Sequence, residues 1–155
     1  MSDRSGSNAP RRTPRADLTT AQRALVEAAG AARARARAPY SGYRVGAAVL
    51  DSEGRIHLGC NIESAAYPLT LCAERVALFS AIAAGAESVQ AIAVVGPGLE
   101  EQPTPPCGAC RQVIWDLAPE ATVLLGAPAG AVDIWRPADL LPCPFGPDHL
   151  DAGSS

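Results

Sequence analysis

The feature that most limits how this chain can fold is a pair of distant cysteine-bearing segments, Cys72-Ala-Glu74 and Pro106-Cys107-Gly-Ala-Cys110. Each lies at the start of a predicted helix. Residues i and i+3 share a helical face, so Cys107 and Cys110 can reach one ion together. A helix N-terminus carries partial positive charge and favours thiolate over thiol. A lone C-x-x-C also fits a redox pair or half of a structural zinc ribbon. Against the first, the pair follows Pro105-Pro106 and lacks thioredoxin-like surroundings; against the second, the chain has no other C-x-x-C. Cys72 supplies a third thiolate if the fold brings two helix N-termini to one point. The separation of 35 positions between Cys72 and Cys107 leaves room for helix, strand and loop. Three protein ligands leave the fourth position of a tetrahedral zinc open to water, as catalytic sites do, whereas structural sites close all four. Taken singly, Cys72 reads as a small buried residue and Glu74 as an acid favoured by the helix dipole. In combination and in this order they point to zinc with a proton carrier beside it. Side chains at i and i+2 do not face each other on a helix, so Glu74 has to reach the site from a neighbouring direction.

The rest of the composition narrows the class. A length of 155 residues suits one domain, and 48% apolar residues suffice for one core. No stretch approaches the ~18 uninterrupted apolar residues of a membrane span, and the start lacks the apolar centre of a secretory signal. A cytoplasmic protein without membrane attachment is expected. Five cysteines are an odd number, which disfavours a disulfide framework and favours metal binding or catalysis. All 13 basic residues are arginine, a bias of composition that carries no functional weight. Residues 1–37 hold eight of them against three acids, a net of +5, and the remainder carries −8, which together give the overall −3. A basic head can attract nucleic acid or act as an import signal. A solvated tail followed by an exposed helix face is the simpler reading.

Residues 1–16 are rich in Ser, Pro and Arg and are expected to form a disordered tail, with 17–155 as a single domain. Thr19 and Gln22 make a capping-box pair that opens a helix to about Arg37, where Pro39 stops it. Leu25, Ala28, Ala29, Ala32 and Ala36 form its sheet-facing side. Strands are expected at Arg44–Leu50 and Arg55–Cys60, joined by the turn Asp51–Gly54, and again at Val89–Val95, Thr122–Leu125 and Val132–Trp135. Helices are expected over Thr70–Ala84, Cys107–Leu117 and Pro137–Leu141, followed by a proline-rich end. This order implies a sheet covered by helices on both faces.

A Cys- or His-x-Glu segment followed by P-C-x-x-C is the order found in zinc deaminases, where the Glu carries protons and does not bind metal. From about Thr20 to Leu150 the chain resembles the cytidine deaminase family in its small homotetrameric branch. The resemblance rests on Pro39-Tyr-Ser-Gly-Tyr-Arg-Val-Gly-Ala-Ala48, Gly59-Cys-Asn-Ile-Glu63, Cys72-Ala-Glu-Arg75, Pro106-Cys-Gly-Ala-Cys-Arg-Gln112, and Leu140-Leu-Pro142 with Phe145-Gly-Pro147. It implies a three-layer α/β/α sandwich around a mixed five-stranded sheet. It implies one zinc per chain on Cys72, Cys107 and Cys110, with Glu74 as the catalytic proton carrier. Asn61 and Glu63 would hold the ribose hydroxyl, the Ala73 backbone would help read the pyrimidine, and Tyr43 and Phe145 would pack around the nucleoside. Arg75 would sit beside the thiolates. Three thiolates on Zn²⁺ leave a net −1, which a guanidinium and two helix dipoles offset.

The implied reaction is hydrolysis of cytidine and deoxycytidine to the uridines and ammonia, a step of pyrimidine salvage, in a homotetramer whose subunits share sites. Three departures stand out: Tyr43 where Phe is usual, Ser64 where Asn often follows the ribose-binding Glu, and the Arg-rich tail. Cys60 and Cys143 match no ligand position, and His57 and His149 fall in no motif. A deaminase of cytosine nucleoside antibiotics would share the zinc motif but not Asn61-x-Glu63. A nucleic-acid editing deaminase would depend on the basic tail, yet no phosphate loop or basic cluster lies near the motifs. A non-catalytic zinc module would need a fourth protein ligand.

Overall fold

A computed structural model describes residues 9–99 and 101–151. The capping box at Thr19 forms in full. The Gln22 backbone N–H donates to Thr19 Oγ1 at 3.2 Å, and the Thr19 N–H donates to Gln22 Oε1 at 3.1 Å. Helix α1 (Thr20–Arg33) follows. It ends four residues before the expected Arg37 because the next segment is used elsewhere. The Arg37 N–H donates to the Asn61 carbonyl, and the Glu63 N–H donates to the Arg37 carbonyl. The chain therefore runs extended into Pro39, as a residue before proline prefers.

The sheet has six strands: β1 (Arg11–Thr13), β2 (Gly46–Asp51), β3 (Ile56–Cys60), β4 (Val89–Val95), β5 (Thr122–Gly126) and β6 (Val132–Trp135), in the order β1-β6-β5-β4-β2-β3. The β4–β5 pair is parallel and the other pairs are antiparallel, so the sheet is mixed. Side chains alternate between its faces. Ala48, Ala93, Val95 and Leu124 pack under Leu25, Val26 and Ala29 of α1. On the other face Ala47, Val49, Ile92, Val94 and Val123 pack against α2 (Ala73–Ala83) and α3 (Gly108–Leu117). The three-layer expectation holds. Two short helices, α4 (Pro137–Leu140) and α5 (Pro147–Asp151), complete the chain. Gly59 of β3 lies where a Cβ would overlap the backbone of Ala73 and Ala77. Only glycine lets the first turn of α2 lie this close to β3. Among the described residues no helix is long and apolar enough to cross a membrane.

Two expectations are corrected here. The sheet has six strands rather than five, and the extra one falls inside the stretch 1–16 expected to be disordered. Residues 1–8 of that stretch lie outside the described residues. β1 buries almost nothing, so hydrophobic patterning gave no sign of it. It is held by main-chain pairing to β6 and by arginine contacts. Arg12 lies 3.4 Å from the Asp133 carboxylate and donates to the Glu101 carbonyl at 2.9 Å. Arg15 donates to the Ala127 and Gly130 carbonyls at 2.6 and 2.9 Å. Removing residues 1–16 is expected to cost roughly 2 kcal/mol of hydrogen bonding and to lower the melting temperature by about 5 °C, with turnover kept within about twofold. Thermal scans and steady-state assays on the shortened chain check this. Abolished turnover would instead place the tail in the catalytic apparatus.

His57 acquires a structural role. Buried Asp51 accepts from His57 Nε2 at 2.8 Å, from Arg55 Nε at 2.7 Å, and from the Glu53 and Arg55 N–H groups, both at 2.9 Å. The His57 contact and these further donors hold its carboxyl far below the usual range, and together they pin the β2–β3 turn.

Candidate active site

Cys72 and Cys107 are the N-cap residues of α2 and α3, and both have extended backbone angles (φ/ψ −74/154 and −67/169). Neither side chain caps its helix, although an N-cap position ordinarily favours an oxygen acceptor. The thiols turn toward each other instead, and neither helix start receives a side-chain cap from its N-cap residue. Cys110 sits in the first turn of α3, fully buried. The three sulfurs lie within 4.8 Å of one another, with Cys72 Sγ to Cys107 Sγ at 3.8 Å. A tetrahedral zinc with Zn–S near ~2.3 Å requires sulfurs about 3.8 Å apart. The donor set therefore fits this metal in both chemistry and spacing. Among the described residues this mutually close group comprises those three cysteines, with Cys60 and Cys143 outside it.

Cys72 precedes the helix, so its side chain does not follow helical phase. Glu74 in the first turn reaches the same site and is only 4% exposed. Burial pushes its carboxyl above the usual range, against the opposing effects of its own backbone N–H and the Cys110 thiol. The cysteines divide in the same way. Cys72 accepts from Cys110, and also from Arg75 and Cys107, which lowers its thiol to about 5 despite burial. Cys110 is pushed up by its bond to Cys72, by burial and by the charge of Glu74. One thiolate forms readily and further ones are opposed by like charge, a conflict that a divalent cation removes. Arg75 places Nη2 3.8 Å from Cys72 Sγ and 3.1 Å from the Thr70 carbonyl.

Asn61, Glu63 and Tyr43 form a second cluster beside the first. Ile62 pairs with Leu71 through two backbone hydrogen bonds of 2.9 and 3.0 Å, which brings Asn61-Ile-Glu63 alongside the approach to Cys72. Asn61 accepts from the Val45 N–H and donates to the Tyr43 carbonyl, both at 2.8 Å. Glu63 accepts from the Ser41 hydroxyl and from the Tyr40 and Ser41 N–H groups at 2.9 and 3.2 Å. The Ser41 hydroxyl, then these N–H groups, lower its carboxyl. Both side chains thus fix the 39–45 loop as well as facing solvent. A cleft of about 360 Å³ opens here, lined by Tyr40, Ser41, Glu63, Tyr67 and Thr70. Ala73 is the first residue of α2, so its N–H has no intrahelical acceptor.

Phe145 stands apart, 57% exposed, with its ring stacked on His149 at a centroid separation of 5.1 Å. Gln112 of α3 holds its backbone at both ends, donating to the Phe145 carbonyl at 2.8 Å and accepting from its N–H at 3.2 Å. Sequence reasoning missed three organising residues. Ser41 and Gln112 hold predicted site residues, and Arg111 donates to the Pro106 and Leu140 carbonyls at 2.9 Å each, fixing the residue before Cys107. Helical spacing gave no signal for Arg111, because its partners are main-chain carbonyls of Pro106, outside α3, and Leu140, which only the fold brings within reach.

The family described as the cytidine and deoxycytidylate deaminase zinc-binding region matches residues 19–126. A cytidine deaminase of Halalkalibacterium halodurans is 45% identical over 128 residues, covering 82% of this chain and 96% of that protein. One from Mycobacterium tuberculosis is 41% identical over 120 residues, covering 77% and 85%. The crystal structure of cytidine deaminase from Burkholderia pseudomallei superposes with a TM-score of 0.76 at 49% identity, covering 83% of this chain and all of that one.

Proposed function

The chain belongs to the cytidine deaminase family, and on that premise we propose that it hydrolyses cytidine, and deoxycytidine with it, to the corresponding uridine and ammonia. The observation that carries this reading is the meeting of Cys72, Cys107 and Cys110 at two helix N-termini with Glu74 buried beside them. The three thiolates would hold zinc. When bound, the ion supplies the Lewis acidity that makes water a nucleophile at neutral pH.

The chain's own residues do the rest. Glu74 takes a proton from the attacking water and gives it to ring N3 as oxygen adds to C4. A second transfer through Glu74 lets the 4-amino group leave as ammonia, so cytidine and water balance with uridine and ammonia. Arg75 and the two helix N-termini hold the thiolate charge. The Ala73 N–H meets the pyrimidine, and Asn61 and Glu63 meet the ribose, which favours nucleoside over free base. We assign this activity to a single domain that spans residues 17–155 and takes in β1 at Arg11–Thr13 ahead of them, acting in pyrimidine salvage in the cytoplasm. Ammonia release from cytidine, deoxycytidine, cytosine, CMP and a cytosine nucleoside antibiotic tests the assignment, and turnover of only the last would contradict it.

Glu63→Ala is expected to lower kcat/KM for cytidine at least about tenfold, because a hydrogen bond to a charged group is worth roughly 1.5–3 kcal/mol. Unchanged kinetics would mean the ribose is held elsewhere.

The active unit is proposed to be a homotetramer in which Phe145 completes a neighbour's site. An exposed ring on a backbone pinned by Gln112, flanked by Pro144 and Pro147, supports this, as do exposed Tyr67, Phe79 and Ile82. Co-refolding Glu74→Gln with Phe145→Ala subunits should restore activity above the sum of the two. No gain would confine Phe145 to its own chain.

A further inference from the structure

The Tyr43 hydroxyl lies 2.8 Å from Thr104 Oγ1, a hydrogen bond between residues 61 positions apart. It joins the 39–45 loop to the segment that leads through Pro105-Pro106 into Cys107. We propose that this bond is a clasp, and that Thr104 is a positioning residue that sets the Tyr43 ring and so the affinity for the nucleoside.

The proposal rests on the deaminase reading, and the geometry supports it from both sides. The backbone of Tyr43 is already fixed, since its N–H donates to Ser41 Oγ at 2.9 Å and its carbonyl accepts from Asn61 at 2.8 Å. The residue is 45% exposed, so packing alone does not lock the ring. The bond to Thr104 removes that freedom. Thr104 is a firm anchor. Its side chain lies directly on Gly96, where a Cβ would overlap Oγ1, so it is seated against the end of β4. Prolines at 105 and 106 fix φ and stiffen the short link to Cys107. A ring held this way keeps a set distance from the thiolate group, which reduces the ordering left to be done on binding. The clasp also gives a reason for tyrosine at 43. A phenol hydroxyl beside a binding surface needs a partner, and Thr104 supplies it; phenylalanine would need none.

The test is a double-mutant cycle with Thr104→Val, Tyr43→Phe and the pair, with Thr104→Ser as the conservative rescue. KM and kcat for cytidine, uridine affinity by titration calorimetry, zinc content and melting temperature are read on each. Loss of one neutral hydrogen bond, roughly 0.5–1.5 kcal/mol, corresponds to a rise of about two- to tenfold in KM and in the uridine Kd. The double variant should be no worse than either single one. kcat should stay within about twofold, zinc should stay at one per chain, and Thr104→Ser should restore KM. Multiplying effects in the double variant, an unchanged KM in Tyr43→Phe, or a lower melting temperature with KM unmoved would overturn the clasp. A wild-type enzyme that neither turns over cytidine nor binds uridine would sink the deaminase reading and the clasp with it. An active wild type with unaffected variants would sink the clasp alone.

Discussion

Glu74→Gln is expected to keep zinc and fold and to lose about 10²–10⁴-fold in kcat, the range for a general acid–base group, with the upper end favoured because one carboxyl serves several transfers. Glutamine has the same shape and fits a pocket that leaves Glu74 only 4% exposed. It cannot take or give the proton, so the loss falls on the chemical step and KM changes little. Burial already pushes this carboxyl upward, which suits a group that must hold a proton during part of each cycle. Steady-state kinetics with metal analysis check the outcome. Retention of more than about a tenth of wild-type kcat would remove Glu74 from the proton path.

Cys110→Ser is expected to abolish stable metal binding and, with it, turnover. Outer-shell changes alone cost about 10–100-fold in metal affinity, so replacing a buried ligand should cost well over ~10²-fold. The melting temperature should fall as well, because metal bound only to the folded state stabilises it by mass action. Zinc per chain after dialysis against a chelator gives the readout. Cys143→Ser, at an exposed position outside the sulfur group, is the control and should keep its zinc.

The layers were legible in the sequence because each rests on a short-range rule, and the cysteine group because two distant segments follow one motif order. Thr19 and Gln22 announce α1 by a reciprocal cap, Val89–Val95 announces β4 by its apolar run, and Cys72-Ala-Glu74 followed by Pro106-Cys107-Gly-Ala-Cys110 announces the metal group by its combined pattern. β1 was hidden because its stability comes from pairing with β6 and from Arg12 and Arg15, none of which leaves an apolar pattern. The early end of α1 was hidden because it depends on Arg37 pairing with Asn61 and Glu63, a contact between distant segments. The direction of Glu74 could not be read from helical spacing, since the answer lay in Cys72 being a cap rather than a helical residue. Tyr43 was visible as a departure, and its compensation by Thr104 required the fold.

The central claim is an open three-thiolate zinc, and zinc K-edge absorption on the purified protein tests it most directly. The expected result is one zinc per chain with three sulfurs at about 2.3 Å and one light atom in the remaining position, unchanged in Cys143→Ser. Four sulfurs, or zinc lost on Cys143→Ser, would show a closed protein site and contradict the catalytic account.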